Sequence, residues 1–203
     1  MRDYSKVENF YKDSKSFNAF NKKRWTIIND SATSPLFIEW IPTPLGKMLA
    51  ICDENHLYML EFIARKNIHN GFQRLSQKYN RHIMSGRTLI TQRIENELQL
   101  YFKKALKEFT TPLMFTGTKF QKKVWLNLTK IPAGKTCSYS ELAAAIGNKK
   151  ASRAVANSNA KNILALAVPC HRVILQNGKI GGYAGGIEKK EWLLCHEKLI
   201  FKN

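Results

Sequence analysis

Acidic residues are scarce in this chain: 15 Asp and Glu stand against 33 Lys and Arg in 203 residues, a formal net charge of +18. That imbalance sets it apart from an enzyme with an evenly mixed surface. It points to a polyanion as partner, whose affinity and encounter rate the field raises; a lysine-rich surface serving solubility alone is the competing reading. Paired cysteines are missing. Cys52, Cys137, Cys170 and Cys195 are far apart with no CxxC spacing, which excludes a disulfide framework and a zinc ribbon and fits a reducing, intracellular (cytoplasmic) setting. Cys52, His56, His69 and His82 lack the tight ligand pairs of a structural zinc site, so no metal and no cofactor is expected. No segment reaches the ~18 apolar residues of a membrane span, and the opening "MRDYSKVENFYKDSK" has no apolar h-region. Neither export by a visible signal nor contact with a membrane is expected. What is present is 44% hydrophobic residues, enough to build the core of one large domain or two modest ones.

Residues 1–35 read as a basic, polar N-terminal extension, with "FNAFNKKRW" as a short helix and "NDSATSP" as a linker. From Leu36 the text turns to strand-like runs, "LFIEWI", "KMLAICD" and "LYMLEF", separated by "PTPLG" and "DEN" turns, which predicts a small antiparallel meander. Helical spacing follows in "GFQRLSQKY" and "LITQRIENELQLYFKKAL", the second offering Leu89, Ile94, Leu98, Tyr101, Phe102 and Ala105 as an apolar face. The turn-rich "KEFTTPLMFTGT" marks a boundary between a domain at 36–112 and one at 116–203.

The second domain carries 15 basic residues against Glu141, Glu188, Glu191 and Glu197, so the polyanion is expected to meet this half. "TKFQKKVWLNLTKIP" reads as a helix with Phe120, Val124, Trp125 and Leu128 on one side, ended by Pro132 and Gly134. In "SYSELAAAIGNKKASRAVANSNAKN", Ser138 or Ser140 caps one helix, Gly147 ends it, and Ala151 or Ser152 opens another. Two short helices about a glycine in a basic context suggest a helix-turn-helix, although such pairs also serve as plain packing units. Arg153 is the one bulky side chain among small residues on the second helix. It can reach a base edge or fill a gap in a base stack, and Lys149, Lys150 and Lys161 flank it. Residues 163–168, "ILALAV", have the look of a short buried strand that Pro169 stops, placing Cys170 beside His171 at its end. A buried structural thiol is the alternative.

In this order and spacing, "IPAGKTCSYSELAAAIG", "ASRAVANSNAKN", "AVPCHRV", "GGYAGG" and "KEWLLCHE" resemble the O6-alkylguanine-DNA alkyltransferases (methylated-DNA–protein-cysteine methyltransferases). The likeness covers essentially all of 116–203. "TPLGKMLAICDENHLYMLEF" resembles that family's N-terminal domain, and residues 11–24 resemble the last helix of an AraC-type regulatory domain, too short to be more than a remnant. The resemblance implies an α+β protein: a small N-terminal α/β domain with an antiparallel sheet, then a mainly helical C-terminal domain with a winged-helix-like helix-turn-helix. It implies a monomer acting on double-stranded DNA that contains alkylated guanine, in the cytoplasm at the nucleoid or in a nucleus.

The same resemblance implies roles. Cys170 is the alkyl acceptor, His171 takes its proton through a water, Glu197 orients the imidazole, and Asn162 ties the turn between the recognition helix and the active site. Tyr139 presses on the target phosphate, and Arg153 enters the stack in place of the extruded base. Ser138, Ala151, Lys149 and Lys150 complete the DNA-binding set. Tyr183, with Gly181, Gly182, Gly185 and Gly186, forms a lid loop in which the amide near Ala184 donates to O6, and the carbonyls of Cys170 and Val173 accept from the guanine amino group. Ala184 stands where several relatives have serine, and Asn159 where an apolar or sulfur-containing side chain lines the pocket, which leaves the range of alkyl groups open. Two other readings compete with repair of O6-alkylguanine and O4-alkylthymine: a DNA-binding regulator on the same fold that senses alkylation, and a thiol hydrolase using Cys170, His171 and Glu197.

Overall fold

The computed structural model describes residues 34–200 apart from positions 67 and 82. The expected helix at "FNAFNKKRW", the likeness at 11–24 and His82 lie outside the described residues. The three strand-like runs form β1 (Leu36–Ile41), β2 (Met48–Cys52) and β3 (Leu57–Phe62), paired antiparallel as a meander. A fourth strand, β4 (Ile83–Ser85), lies parallel to β1, so the sheet runs β3-β2-β1-β4 and is mixed rather than purely antiparallel. Three residues with no alternation carry no strand signal of their own; only the β1 edge makes them one.

Every residue of β2 is buried because both faces of the sheet are covered. The period of two sorts its side chains. Leu49 and Ile51 join Ile68, Phe72 and Leu75 of α1 (Ile68–Tyr79), while Met48, Ala50 and Cys52 join Ile90, Ile94 and Leu98 of α2 (Leu89–Phe102). Thr88 caps α2 in a reciprocal box with Thr91. That helix ends four residues earlier than its pattern suggests. Lys104 turns to φ +63 and the Ala105 amide bonds back to Leu100, 2.8 Å away, so Ala105 falls past the helix and is exposed. Leu89, also expected on the apolar face, is 78% exposed on the first turn. Beyond the helix, Glu97 accepts from the amides and hydroxyls of both Thr110 and Thr111, which fastens the connecting segment to α2.

In the second half, α3 (Lys119–Leu128) is capped by Thr118 and buries Val124, Trp125 and Leu128. The helix pair forms as α4 (Tyr139–Ala145) and α5 (Ser152–Ala160), with Gly147 at φ +79 between them; α6 (Ile187–Ile200) closes the chain. Two parallel pairs join β5 (Cys137–Ser138) to β6 (Val173–Ile174), placing the start of α4 beside the segment that follows Cys170. Residues 163–168 are not a strand. Leu164 makes one bridge to Leu60 of β3, and the chain then coils, with Leu166 at φ +68 and Val168 N bonded to Leu164 O at 2.8 Å. A short apolar run looks the same whether it is pleated or wrapped in core on all sides. Here the wrapping is imposed by Asn162, whose side chain accepts from Leu164 N and donates to Val168 O, both at 2.9 Å.

Candidate active site

Cys170 opens a 3-10 turn, Cys170–Arg172, and is 5% exposed. The Asn162 amide that holds Val168 O also donates to Cys170 Sγ at 3.2 Å, so one side chain shapes the loop and binds the sulfur at its end. Asn159, on the last turn of α5, donates to Cys170 O at 3.2 Å, while its own Oδ1 has no partner among the described residues. Burial pushes the thiol up to about 11, against the Asn162 hydrogen bond, which favours the thiolate. At neutral pH the resting sulfur is therefore protonated, and forming the thiolate costs about 5 kcal/mol.

The next residue is His171. Its Nε2 lies 2.8 Å from Glu197 Oε1, and both side chains are 0% exposed. Burial lowers the imidazole below its ordinary value, overriding the Glu197 charge that favours protonation. Burial by itself would raise the Glu197 carboxyl, but the hydrogen bonds and charges of His171 and Arg172 together hold it well below the usual carboxylate range. The pair thus rests as neutral imidazole and carboxylate. Nε2–H donates to Glu197, which leaves the lone pair on Nδ1, and Nδ1 has no partner among the described residues. An imidazole held this way can serve as a base, with its tautomer fixed from behind.

Glu197 has more to hold than a histidine. Arg172 donates to both of its oxygens, Nε at 3.0 Å and Nη2 at 2.9 Å, Tyr101 OH donates at 2.9 Å, and the Gly134 amide at 3.2 Å. Gly134 reaches it from a left-handed turn at φ +76, where a side chain is strained. Arg172 is visible in "PCHRV", but Tyr101, more than ninety residues away on α2, gives no local signal.

Tyr183 and Asn159 lie against this centre, whereas Lys149, Lys150 and Arg153 lie around the helix pair. Tyr183 lies edge-on to His171, ring centroids 6.4 Å apart, with its hydroxyl buried and without a partner among the described residues. The loop bends sharply behind it, because a Cβ at Gly185 would lie 2.7 Å from the Tyr183 ring. Ala184 is half-buried. Val173 is buried and its carbonyl accepts from Lys190 Nζ at 2.6 Å, which also reaches Gly182 O at 3.3 Å. Lys190, missed by the sequence reading, is 0% exposed, and its burial draws the ammonium down to about 8. It ties the loop at Gly182 to the segment after Cys170. Tyr139 is half-buried at the start of α4. Ser138 is buried and spends its hydroxyl capping α4 through Glu141 N at 3.1 Å. Ala151 precedes α5 without a side-chain cap, and Lys149, Lys150 and Arg153 are exposed around the helix pair. Peptide-mapped labelling of Cys170 by iodoacetamide is expected to accelerate with pH from neutrality towards about 11, as the thiolate fraction grows. A plateau already reached at pH 7 would mean that the resting thiol is ionised.

Comparison with known proteins meets the same geometry from outside. The family model described as the 6-O-methylguanine DNA methyltransferase ribonuclease-like domain matches residues 36–115, and that family's DNA binding domain matches 119–199. A methylated-DNA–protein-cysteine methyltransferase of Salmonella typhimurium is 39% identical over 165 residues, 80% of this chain and 95% of the relative. The constitutive methylated-DNA–protein-cysteine methyltransferase of Bacillus subtilis is 37% identical over 161 residues, 79% of this chain and 94% of its own length. Among solved structures, Mycobacterium tuberculosis OGT in complex with DNA superposes with a TM-score of 0.70 at 34% identity, covering 81% of this chain and 94% of that one. With both halves matched in order and nearly the whole of each relative spanned, the chain belongs to the O6-alkylguanine-DNA alkyltransferase family.

Proposed function

We propose that this protein repairs DNA by moving the alkyl group of O6-alkylguanine, and of O4-alkylthymine, onto Cys170 in a single irreversible turnover. The observation that carries the reading is the buried Cys170 sulfur, held by the Asn162 amide next to a neutral imidazole locked to Glu197. The names of the bacterial relatives and the DNA bound in the mycobacterial structure support cysteine as acceptor and DNA as partner. His171 Nδ1 takes the thiol proton through a water. The sulfur then displaces O6 at the alkyl carbon: a C–S bond forms, the C–O6 bond breaks, and its electron pair leaves with the guanine, which gains a proton. Glu197 stabilises the imidazolium that forms. A thioether is not hydrolysed at neutral pH, so each molecule acts once. Asn159 and Ala184 line the site, and the carbonyls of Cys170 and Val173, each already accepting one hydrogen bond, retain a second lone pair for the guanine amino group. The protein acts as a monomer, with the helix pair on DNA and a division of the chain at 1–35, 36–112 and 116–203.

An excess of O6-benzylguanine separates this from the competing readings by mass. One benzyl group on Cys170 is the expected result; no adduct would leave a DNA-binding regulator, and continued product release a hydrolase.

Arg153 carries the proposed route to the base. It stands exposed on the first turn of α5, on a helix whose other residues are small. Filling the vacated stack offsets part of the unstacking cost. Its replacement by alanine is expected to slow repair of duplex DNA by about 2 kcal/mol, roughly thirtyfold, and to leave reaction with free O6-benzylguanine unchanged. Single-turnover rates on both substrates decide it: equal losses would assign Arg153 to the pocket or the fold.

A further inference from the structure

The loop after β3 reaches from the N-terminal half to the back of the nucleophile. Leu60 exchanges main-chain hydrogen bonds with Ile163 and Ala165, at 2.8 and 2.7 Å, and the next residue, Glu61, is 2% exposed. Its carboxylate pairs with Arg65, whose guanidinium goes further: Nη1 also donates to Asn162 O, and Nη2 donates to Ala160 O at 2.7 Å. Those two carbonyls lie where α5 ends, positions that a helix leaves without partners and where a cation is favoured. One fork therefore clamps both sides of the turn that presents Asn162. The Asn162 amide in turn is the donor on Cys170 Sγ.

We propose that Arg65 is a positioning residue for the nucleophile: by binding Ala160 O and Asn162 O from the N-terminal half, it holds the Asn162 amide on Cys170 Sγ and makes thiol reactivity depend on the docking of that half. The clamp rests on the reading of Cys170 as alkyl acceptor only for its consequence in repair; its effect on the sulfur stands by itself. The charges facing Cys170 come from three directions. Glu61 and Arg65 lie on the N-terminal side, Lys190 on α6, and the His171–Glu197 pair beside it, with Glu61 disfavouring and Arg65 and Lys190 favouring the thiolate. Glu61 is itself pushed up to about 7 by burial, against the pull of Arg65. Removing Arg65 alone would strand that carboxyl in the core, so the cleaner variant replaces both.

The test uses the full chain, as Glu61→Gln/Arg65→Met and, separately, Arg65→Lys, which keeps the ion pair but has no fork to span two carbonyls. Two rates are measured across pH: benzylation by free O6-benzylguanine, and peptide-mapped labelling of Cys170 by iodoacetamide. Both variants are expected to react about tenfold more slowly with each reagent, with the labelling profile displaced to higher pH. Rates and profiles equal to wild type would overturn the proposal, and so would slower reaction with no displacement, which assigns Arg65 to the fold alone. Arg65→Lys carries the test by itself if the double variant does not fold. A wild-type chain that takes no benzyl group, while its labelling still depends on Arg65, would sink the alkyl-acceptor reading and leave the clamp standing.

Discussion

A Cys170→Ser protein is expected to leave O6-methylguanine in duplex DNA intact while the wild type consumes it mole for mole, and to bind that duplex with unchanged affinity. Two separate parts of the structure are responsible. The Cys170 sulfur is buried, whereas Lys149, Lys150 and Arg153, the residues proposed to meet DNA, are exposed. A serine hydroxyl is far harder to ionise than a thiol, and the Asn162 amide placed for sulfur does nothing to supply the missing nucleophilicity. The loss in rate is expected to be on the order of ten-thousandfold or more. Repair assays with equimolar protein and gel shifts on the same duplex measure both quantities; methyl loss near the wild-type rate would end the assignment of Cys170.

Glu197→Gln is expected to cost the fold as much as the chemistry. The carboxylate is buried with Arg172, His171, Tyr101 and the Gly134 amide all donating to it, and glutamine keeps the shape but removes the charge that compensates Arg172. A buried cation left without its partner costs about 3–5 kcal/mol, which for a protein of this size lowers the melting temperature by roughly 10 °C. The sign of the pH dependence follows from the depressed carboxyl. Its stabilisation is present above the ordinary value of 4.5 and is lost as pH falls through the lower value in the fold, so the gap between wild type and Glu197→Gln should narrow below pH 4.5. His171 adds a loss of its own below 6.5, because the unfolded chain takes a proton that the buried imidazole refuses. Thermal unfolding of both proteins from pH 7 downwards reads these effects. Equal melting temperatures at pH 7 would show that Glu197 orients His171 without holding the core.

Cys170, His171 and Glu197 could be put forward as candidates because "PCHRV" and "CHE" are local patterns that carry the resemblance. The helix pair was legible because Ser138, Gly147 and the periodicity of "ELAAAI" each act within one or two turns of backbone. The meander could be read from period-two runs cut by turns. Tertiary contacts overrode such local signals at β4, a strand only because β1 offers it an edge, and at residues 163–168, an apolar run coiled around the Asn162 side chain instead of pleated.

The order of short motifs thus carried the resemblance to this family and marked Cys170 as the candidate nucleophile, and residue counts marked the second half as the more basic. Only the tertiary structure decided what state that thiol rests in and what holds it. Its elevated pKa comes from burial, the Glu197 carboxylate is shared with Tyr101 and Arg172 from distant segments, and the turn behind Asn162 is gripped by Arg65 from the other half of the chain. Desolvation and hydrogen bonding depend on which atoms meet in space, and those partners are separated by up to 97 positions in sequence.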